Sequence, residues 1–554
     1  MSDSVAAVSD TPGLSEVDVT ARRLAWSGSV WRWLAVGLVL AIACAVRLWK
    51  IGDVPGNVFY DAAVRSMGVS WHNFFFGALE PSGMVSIDKP PVDLWLQVAS
   101  TQVFGFGLFG LHLPEVLGGV LACGLLLGAL RGPFGDAVAF PGALALAVLP
   151  ISVLTARSDT MDSVLAALEV GALWLSWRAL QNGRLRWSVA AAALMGLAFN
   201  VKLTEMLIAL PAFALLWLWA AAPGQRVRAA LATAATFVVL ALSWSAIASL
   251  TPSSHRPFPI GSSNGSIWHV TLVYNGLSRL SSQGASPPAE GGPGPLRLLN
   301  NGPLQYRTLI GIALLATCLL ACAALAAILA RDGRVALRAA FDRPPGRFAI
   351  AIFVWFLTGL IAFSAMHRLQ PRYLEAFAPA LCAVFGLSVG VLWRGGLGRG
   401  GVGANRGPGR LALCGALAAV GIVLLVLSLA KDSYLIDRAR TDSLLSDFST
   451  PSLSRYLRAH RDGARYEVAG ASVNDAIGIV VRDGLPVLML NSVDGALTRT
   501  KRLREDVAAG LVRYYFARPH ACHTGVHCAG NQVWAYAHSA PVAGQPGLRR
   551  FTAR

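Results

Sequence analysis

The chain has 554 residues, of which 55% are hydrophobic and only 14% charged, and its mean hydropathy is +0.54. Soluble globular chains carry about 25% charged residues, so this composition excludes an ordinary soluble enzyme, and its apolar richness excludes disorder. The net charge of +17 could suggest nucleic acid, but the Arg residues cluster between long apolar runs, the pattern of a polytopic membrane protein.

Residues 1–30 are polar and contain Arg22 and Arg23. The apolar run that follows continues to Trp49 without a convincing small-residue cleavage site, so it reads as a first transmembrane helix rather than a signal peptide. Further apolar runs start near Leu111, Val138, Asp162, Trp187, Leu203, Ala229, Thr308, Phe348, Tyr373 and Leu411. At roughly twenty residues per crossing, the expectation is about eleven spans.

Orientation follows from arginine density. Arg178, Arg184 and Arg186 share one connection, and Arg226 and Arg228 share another. Arg331, Arg334, Arg338, Arg343 and Arg347 occupy a third, while Arg394, Arg399, Arg406 and Arg410 sit in a Gly-rich fourth. Alternate crossings put these connections and the 1–30 tail on one side, cytoplasmic by the positive-inside rule. Two long loops, 51–110 and 251–307, then lie outside with everything from Lys431 onward. The first loop mixes aromatic and charged residues, as in Trp71-His72-Asn73-Phe74, which suits interfacial amphipathic helices. The second is rich in Gly, Pro, Ser and Asn and reads as an irregular loop.

Residues 31–430 form the membrane region, and from Lys431 the pattern changes. Strand-like stretches at 465–471, 485–490 and 512–516 alternate with helical ones at 474–481 and 499–510, and 532–537 reads as a last strand. That alternation predicts a small α/β domain over 431–554, outside the membrane. Just before its last strand, His520-Ala-Cys-His-Thr-Gly-Val-His-Cys offers two chemistries. The His and Cys residues could bind zinc, or Cys522 and Cys528 could close a short disulfide, which an oxidising exterior favours.

Ionisable residues at membrane depth are costly and direct attention to function. Asp88 and Lys89 stand side by side before Pro90-Pro91. They could anchor a helix at the interface, or place a phosphate-binding Lys beside a carboxylate. Arg157, Asp159 and Asp162 lie within six residues, as a local ion pair or as ligand groups. Lys202 precedes Glu205 with the same ambiguity, and His367, Arg372 and Tyr373 lie at an outer turn suited to an anionic head group. Asp53 and Asp61 follow the first span. The derived topology brings all of these to the outer side, as chemistry on a lipid-linked phosphate needs. The middles of the spans are almost free of acids, unlike a proton relay.

A series of stretches carries a family resemblance: Phe59-Tyr-Asp-Ala-Ala-Val-Arg-Ser-Met, Ser70-Trp-His-Asn-Phe-Phe-Phe-Gly, Val85-Ser-Ile-Asp-Lys-Pro-Pro-Val, Arg157-Ser-Asp-Thr-Met-Asp-Ser, Leu197-Ala-Phe-Asn-Val-Lys, Tyr274-Asn-Gly-Leu-Ser-Arg-Leu, Gly292-Pro-Gly-Pro-Leu-Arg-Leu-Leu-Asn and Arg372-Tyr-Leu-Glu-Ala-Phe-Ala-Pro-Ala. In order and spacing the chain resembles the GT-C membrane glycosyltransferases. It is most similar to family 39, the protein O-mannosyltransferase-like and aminoarabinose-transferase-like group, in its bacterial membrane-mannosyltransferase branch. The resemblance implies a polytopic α-helical GT-C fold with a small extracytoplasmic α/β domain. It implies transfer of a sugar, with inversion, from a polyprenyl-phosphate donor to a hydroxyl of a glycan, lipid or protein at the outer face of the cytoplasmic membrane.

Carried over by residue, the resemblance makes Lys89 the phosphate ligand, with Arg157, Lys202, His367, Arg372 and Tyr373 as further donor-binding candidates. Asp61, Asp88 and Asp162 become the catalytic candidates, and a divalent metal on Asp88 is compatible with the pattern. Many relatives carry an Asp-Glu pair just after the first span, where this chain reads Pro55-Gly-Asn-Val-Phe-Tyr-Asp. Asp61 and Asp88 therefore both stand as candidate bases. No Walker-type phosphate loop is present. A lipid or solute transporter and a catalytically inactive scaffold are the alternative readings.

Overall fold

The computed structural model describes residues 16–278, 292–300, 306–367, 369–395, 415–417, 419–428, 430, 450–492, 495–518 and 529–552. Among these, seven helices are long and apolar enough to cross a membrane: Val30–Asp53, Leu108–Phe134, Asp162–Asn182, Leu185–Ile208, Pro223–Leu250, Arg307–Ala330 and Pro344–Ala365. A bent pair, Asp136–Val148 with Pro150–Ala156, makes an eighth candidate, and Leu210–Ala220, Ala378–Arg394 and Gly415–Ser428 are shorter apolar helices. These elements take up the eleven apolar runs in order, but three of them are too short to count as spans by length. The first helix, Glu16–Leu48, also begins inside the polar stretch expected as a tail.

The bend of 58° between the paired helices has a local cause. Pro150 lacks the N–H that would close a helical bond onto Leu146, and the residue before it is held extended, with φ −67° and ψ 124° at Leu149. The carbonyls left open are satisfied from another span. Arg47 is fully buried, and its guanidinium donates to Ala147 O at 2.9 Å and Leu146 O at 3.3 Å. In a bilayer such carbonyls have no water to turn to, so an arginine from the first helix is a structural requirement of the break.

Small residues set the closest helix approach. A Cβ on Gly386 would lie 2.5 Å from Val138 O, so Ala378–Gly395 can seat against Asp136–Val148 only through a bare backbone, as in close-packed membrane helices.

At one end of the bundle the chain builds a cap. Asn57 and Ser70 cap the helices Val58–Met67 and Trp71–Phe76, each accepting a backbone N–H on its side chain. Helix Val92–Phe104 follows Pro90-Pro91, and Val85–Ser86 pairs in parallel with Phe258–Pro259, joining the two long loops. The Arg-rich connections within the described residues fall at the opposite end, where Arg131 pairs with Asp136 at 2.8 Å and Arg32 reaches the same carboxylate at 3.3 Å.

The C-terminal domain follows the predicted alternation. Its five-stranded sheet runs in the order Leu488–Met489, Ala469–Gly470, Tyr514–Phe516, Leu548–Phe551, Ser539–Pro541. The first three strands are parallel and the last two antiparallel to their neighbours. Helices Val473–Asp483 and Thr500–Ala508 lie where expected. One expectation fails: Gly530–Ala537 is a helix, not a strand. Its buried residues, Asn531 and Ala535, are four apart, while Val533 is 47% exposed, so the Val-Trp-Ala-Tyr-Ala alternation does not report a sheet face.

This domain is fastened to the membrane body. Arg65 donates to Val481 O at 2.8 Å. The turn at Gly484, at φ +65°, leaves no room for a side chain, because a Cβ there would meet Arg65 Nε at 2.6 Å. Tyr466 donates its hydroxyl to Met84 Sδ at 3.0 Å.

Candidate functional site

Between the cap and the C-terminal domain lies a cavity of about 430 Å³ lined by residues from both, among them Tyr60, Asp88, Lys89, Gln370 and Arg372 from the membrane body. The volume suits a small ligand.

Asp88 and Lys89 are positioned by the short β-pairing and by Pro90-Pro91, which commits the chain to a turn before the helix at Val92. Asn275, on the π-helical stretch His269–Leu277, donates to Asp88 O at 2.5 Å; such stretches are frequent at functional sites. Lys89 Nζ sits 2.8 Å from Asp88 Oδ2, and both side chains are 8% exposed. Burial, the largest single influence, pulls the Lys89 ammonium down, but the Asp88 carboxylate together with Tyr60 and Tyr373 outweighs it and holds the pKa above the ordinary lysine value. The other carboxylate oxygen, Asp88 Oδ1, is buried without a hydrogen-bond partner.

Aromatic rings connect the cations. Lys89 and Arg372 stand 5.8 and 6.0 Å from the centre of the Tyr60 ring. Arg372 and Lys202 stand 5.8 and 5.4 Å from that of Tyr373, distances at which a cation is attracted to a ring face.

Next to Tyr60 in the chain, Asp61 brings its carboxyl to that of Asp159. Both oxygens of Asp159 accept the Asn57 backbone N–H, at 3.0 and 3.1 Å. Burial first, then the Asp159 charge, raises the Asp61 pKa well above the ordinary carboxyl value. Asp159 is pushed up to about 6, chiefly by burial.

The structure therefore distributes the candidates unevenly. Asp88, Lys89 and Arg372 line the cavity, whereas Asp61, which follows the lining residue Tyr60 in the chain, is buried and not among the lining residues. Asp162 and Lys202 are not among the lining residues. They form an ion pair with each other, with side chains 1% and 2% exposed, and Thr160 donates to Asp162 at 2.7 Å. Tyr373 is buried between Lys202 and Arg372. Arg157 is buried and donates to Trp49 O, acting on the backbone after the first span. His367 is exposed and not among the lining residues. Cys522 and Cys528 lie outside the described residues.

A metal on Asp88 does not suit this arrangement. Its carboxylate is already paired with Lys89, and among the described residues no three His, Cys, Asp or Glu side chains gather as a cation cage.

Sequence reasoning missed Asn57, Tyr60, Gln370, Ser472, Asn474 and Ser492. Tyr60 was legible only as part of a recurring stretch; the polar residues of the C-terminal domain carry no signal in one sequence.

Comparison with known proteins is consistent with this architecture. Residues 88–247 match the family model for dolichyl-phosphate-mannose-protein mannosyltransferase. YycA of Bacillus subtilis (strain 168), assigned as a mannosyltransferase, is 36% identical over 249 residues, 44% of this chain and 36% of its own length. YkcB of the same organism, assigned likewise, is 33% identical over 252 residues, 45% of this chain and 35% of its own length. The chain thus matches about a third of the length of these curated relatives.

ArnT from Cupriavidus metallidurans in the apo state superposes with a TM-score of 0.55 at 16% identity, covering 89% of this chain and 94% of its own. The same protein bound to undecaprenyl phosphate gives 0.52 at 17%, covering 87% and 89%. The Archaeoglobus fulgidus oligosaccharyltransferase gives 0.53 at 13%, covering 87% of this chain and 68% of its own.

The fold and the family match define a membrane protein of the GT-C type. The chain shares the fold of the GT-C glycosyltransferases, and over part of its length its sequence is similar to the mannosyltransferase-like group.

Proposed function

We propose that this protein moves a sugar from a polyprenyl-phosphate carrier to an acceptor hydroxyl, with inversion, at the outer face of the cytoplasmic membrane. The observation that carries the reading is the cavity in which Lys89 and Arg372 flank Tyr60 beside the half-paired carboxylate of Asp88. The ArnT structure with undecaprenyl phosphate supports a lipid phosphate as the anionic group.

In the step proposed, the acceptor oxygen attacks the anomeric carbon, and the bond from that carbon to the phosphate oxygen breaks. Its electron pair leaves with the phosphate, where Lys89 and Arg372 stabilise the growing charge. Asp88 takes the acceptor proton on its open oxygen, help worth about 10²–10⁴-fold. Asp61 and Asp159 share a proton away from the cavity lining and keep negative charge near Arg372, which in turn favours the ionised form of Asp159; they position rather than react. Asp162 and Lys202, expected at the reacting centre, brace Tyr373 from behind.

Sidedness rests on the Arg-rich connections at the far end of the bundle, which the positive-inside bias places in the cytoplasm; the cavity and the C-terminal domain then face outward. The C-terminal domain closing over the cavity fits an enzyme better than a transporter's conduit.

The test is sugar transfer by the purified full chain in detergent, with labelled polyprenyl-phosphate sugars as donors. Activity that Lys89→Ala and Asp88→Asn each reduce by 10²-fold or more supports the reading. No transfer by the wild-type chain from any polyprenyl-phosphate sugar would overturn it.

A further inference from the structure

We propose that the C-terminal domain supplies the sugar-recognising wall of the cavity: Ser472, Asn474 and Ser492 bind the hydroxyls of the donor's sugar ring while Lys89 and Arg372 hold its phosphate. This deepens the glycosyltransferase reading and rests on it.

The two walls differ in chemistry. The membrane body contributes Lys89 and Arg372, two cations suited to a phosphate. The facing wall is made by Ser472, Asn474 and Ser492, which offer neutral hydroxyl and amide groups, with the apolar Val473 between the first two. Such groups both donate and accept hydrogen bonds, as sugar hydroxyls do, and they offer no charge to compete for the phosphate. A sugar phosphate has this same polarity, an anion at one end and neutral hydroxyls at the other. Asp88, itself a lining residue, keeps one buried oxygen, Oδ1, without a hydrogen-bond partner, the kind of group a bound ligand satisfies.

The topology of the domain points to the same place. Strand Ala469–Gly470 lies between Leu488–Met489 and Tyr514–Phe516, all parallel. The chain leaves it in one direction and returns on its other side, so it is the switch point of the sheet. In open α/β sheets, ligands bind beyond the carboxyl ends of strands at that point. Ser472 follows Gly470 by two positions, and Ser492 follows Met489 by three. The third strand's exit holds the wall in shape: Arg518 donates to Asn474 O at 3.0 Å, and Ser472 and Asp475 close a capping box. The switch-point crevice of the domain is therefore the roof of the membrane cavity, held there by Arg65 on Val481 O at 2.8 Å.

The experiment is equilibrium binding of two probes to the full chain in detergent: bare polyprenyl phosphate, and the same lipid phosphate carrying mannose. The wild-type chain is expected to bind the glycosylated lipid more tightly. Asn474→Ala/Ser492→Ala should erase that difference, weakening the glycosylated lipid by about tenfold for two lost hydrogen bonds and leaving the bare lipid unchanged. Lys89→Ala should weaken both probes. Equal affinity of the wild-type chain for the two probes would overturn the proposal. So would a double variant that keeps the difference, or one that loses both probes while Ser492→Ala alone keeps the difference. A variant that binds both lipids normally but shows a raised KM for the acceptor would assign the wall to the acceptor and equally overturn it. Binding without transfer would count against the enzymatic reading and leave the sugar wall standing.

Discussion

The carboxyl of Asp61 fills the space that a side chain at Gly56 would need: a Cβ at position 56 would lie 2.4 Å from Asp61 Oδ2 and 2.7 Å from Oδ1. The loop after the first span lacks an Asp-Glu pair, yet a carboxyl stands in it, delivered from the first turn of the helix Val58–Met67. A glycine at 56 and an acid at 61 are thus one packing solution.

Gly56→Ala should therefore displace Asp61 and disturb its contact with Asp159, destabilising the protein by about 1–3 kcal/mol, as overpacking does. Gly56→Ala/Asp61→Ala should recover part of that loss, because the clashing atoms are gone. Thermal unfolding of the four members of this cycle measures the coupling; strictly additive effects would show that the two positions do not compete for space.

The Asp61–Asp159 pair predicts a pH dependence with a definite sign. Both pKa values are raised in the fold, Asp159 to about 6. The folded state therefore binds more protons than the unfolded state from the ordinary carboxyl range upward, and stability falls as pH rises through that window. Asp61→Asn removes the repulsion, so it should raise the thermal midpoint more at pH 8 than at pH 5. An equal shift at both values would show that the pair does not hold a shared proton.

Arg47 is expected to be essential to the bundle rather than to the cavity. Arg47→Leu leaves the Leu146 and Ala147 carbonyls open in an apolar interior, at about 1–3 kcal/mol for each such group. The expected outcome is a lowered thermal midpoint in detergent. Polyprenyl-phosphate binding should persist at temperatures where the variant stays folded.

Sidedness can be read by labelling. In a background with the native cysteines replaced, a cysteine at Gly544 should react with an impermeant thiol reagent applied outside intact cells. One at Gly183, in the Arg178–Arg186 connection, should react only after the membrane is opened. The reverse pattern would place the cavity in the cytoplasm and remove the proposed donor side.

Part of this protein was legible in its sequence. The apolar runs announced a helical membrane body because twenty consecutive apolar residues have few other stable fates. The switch to short alternating strands and helices after Lys431 announced an α/β domain. Asp88, Lys89 and Arg372 stood out because charge near a bilayer is costly enough to need a purpose. The short helix Gly530–Ala537 was misread because two periodicities compete over eight residues.

Only the tertiary structure decided partners. Asp162 and Lys202 pair with each other away from the cavity wall, Asp159 from the turn between Pro150–Ala156 and Asp162–Asn182 faces Asp61, and Arg47 closes a break made by Pro150. Above all, Ser472, Asn474 and Ser492 meet Lys89 across one cavity although hundreds of residues separate them in the chain. Periodicity reports which face of an element is buried, but not which distant element it is buried against. That choice is made by shape, by unsatisfied carbonyls and by charge, once the chain has folded.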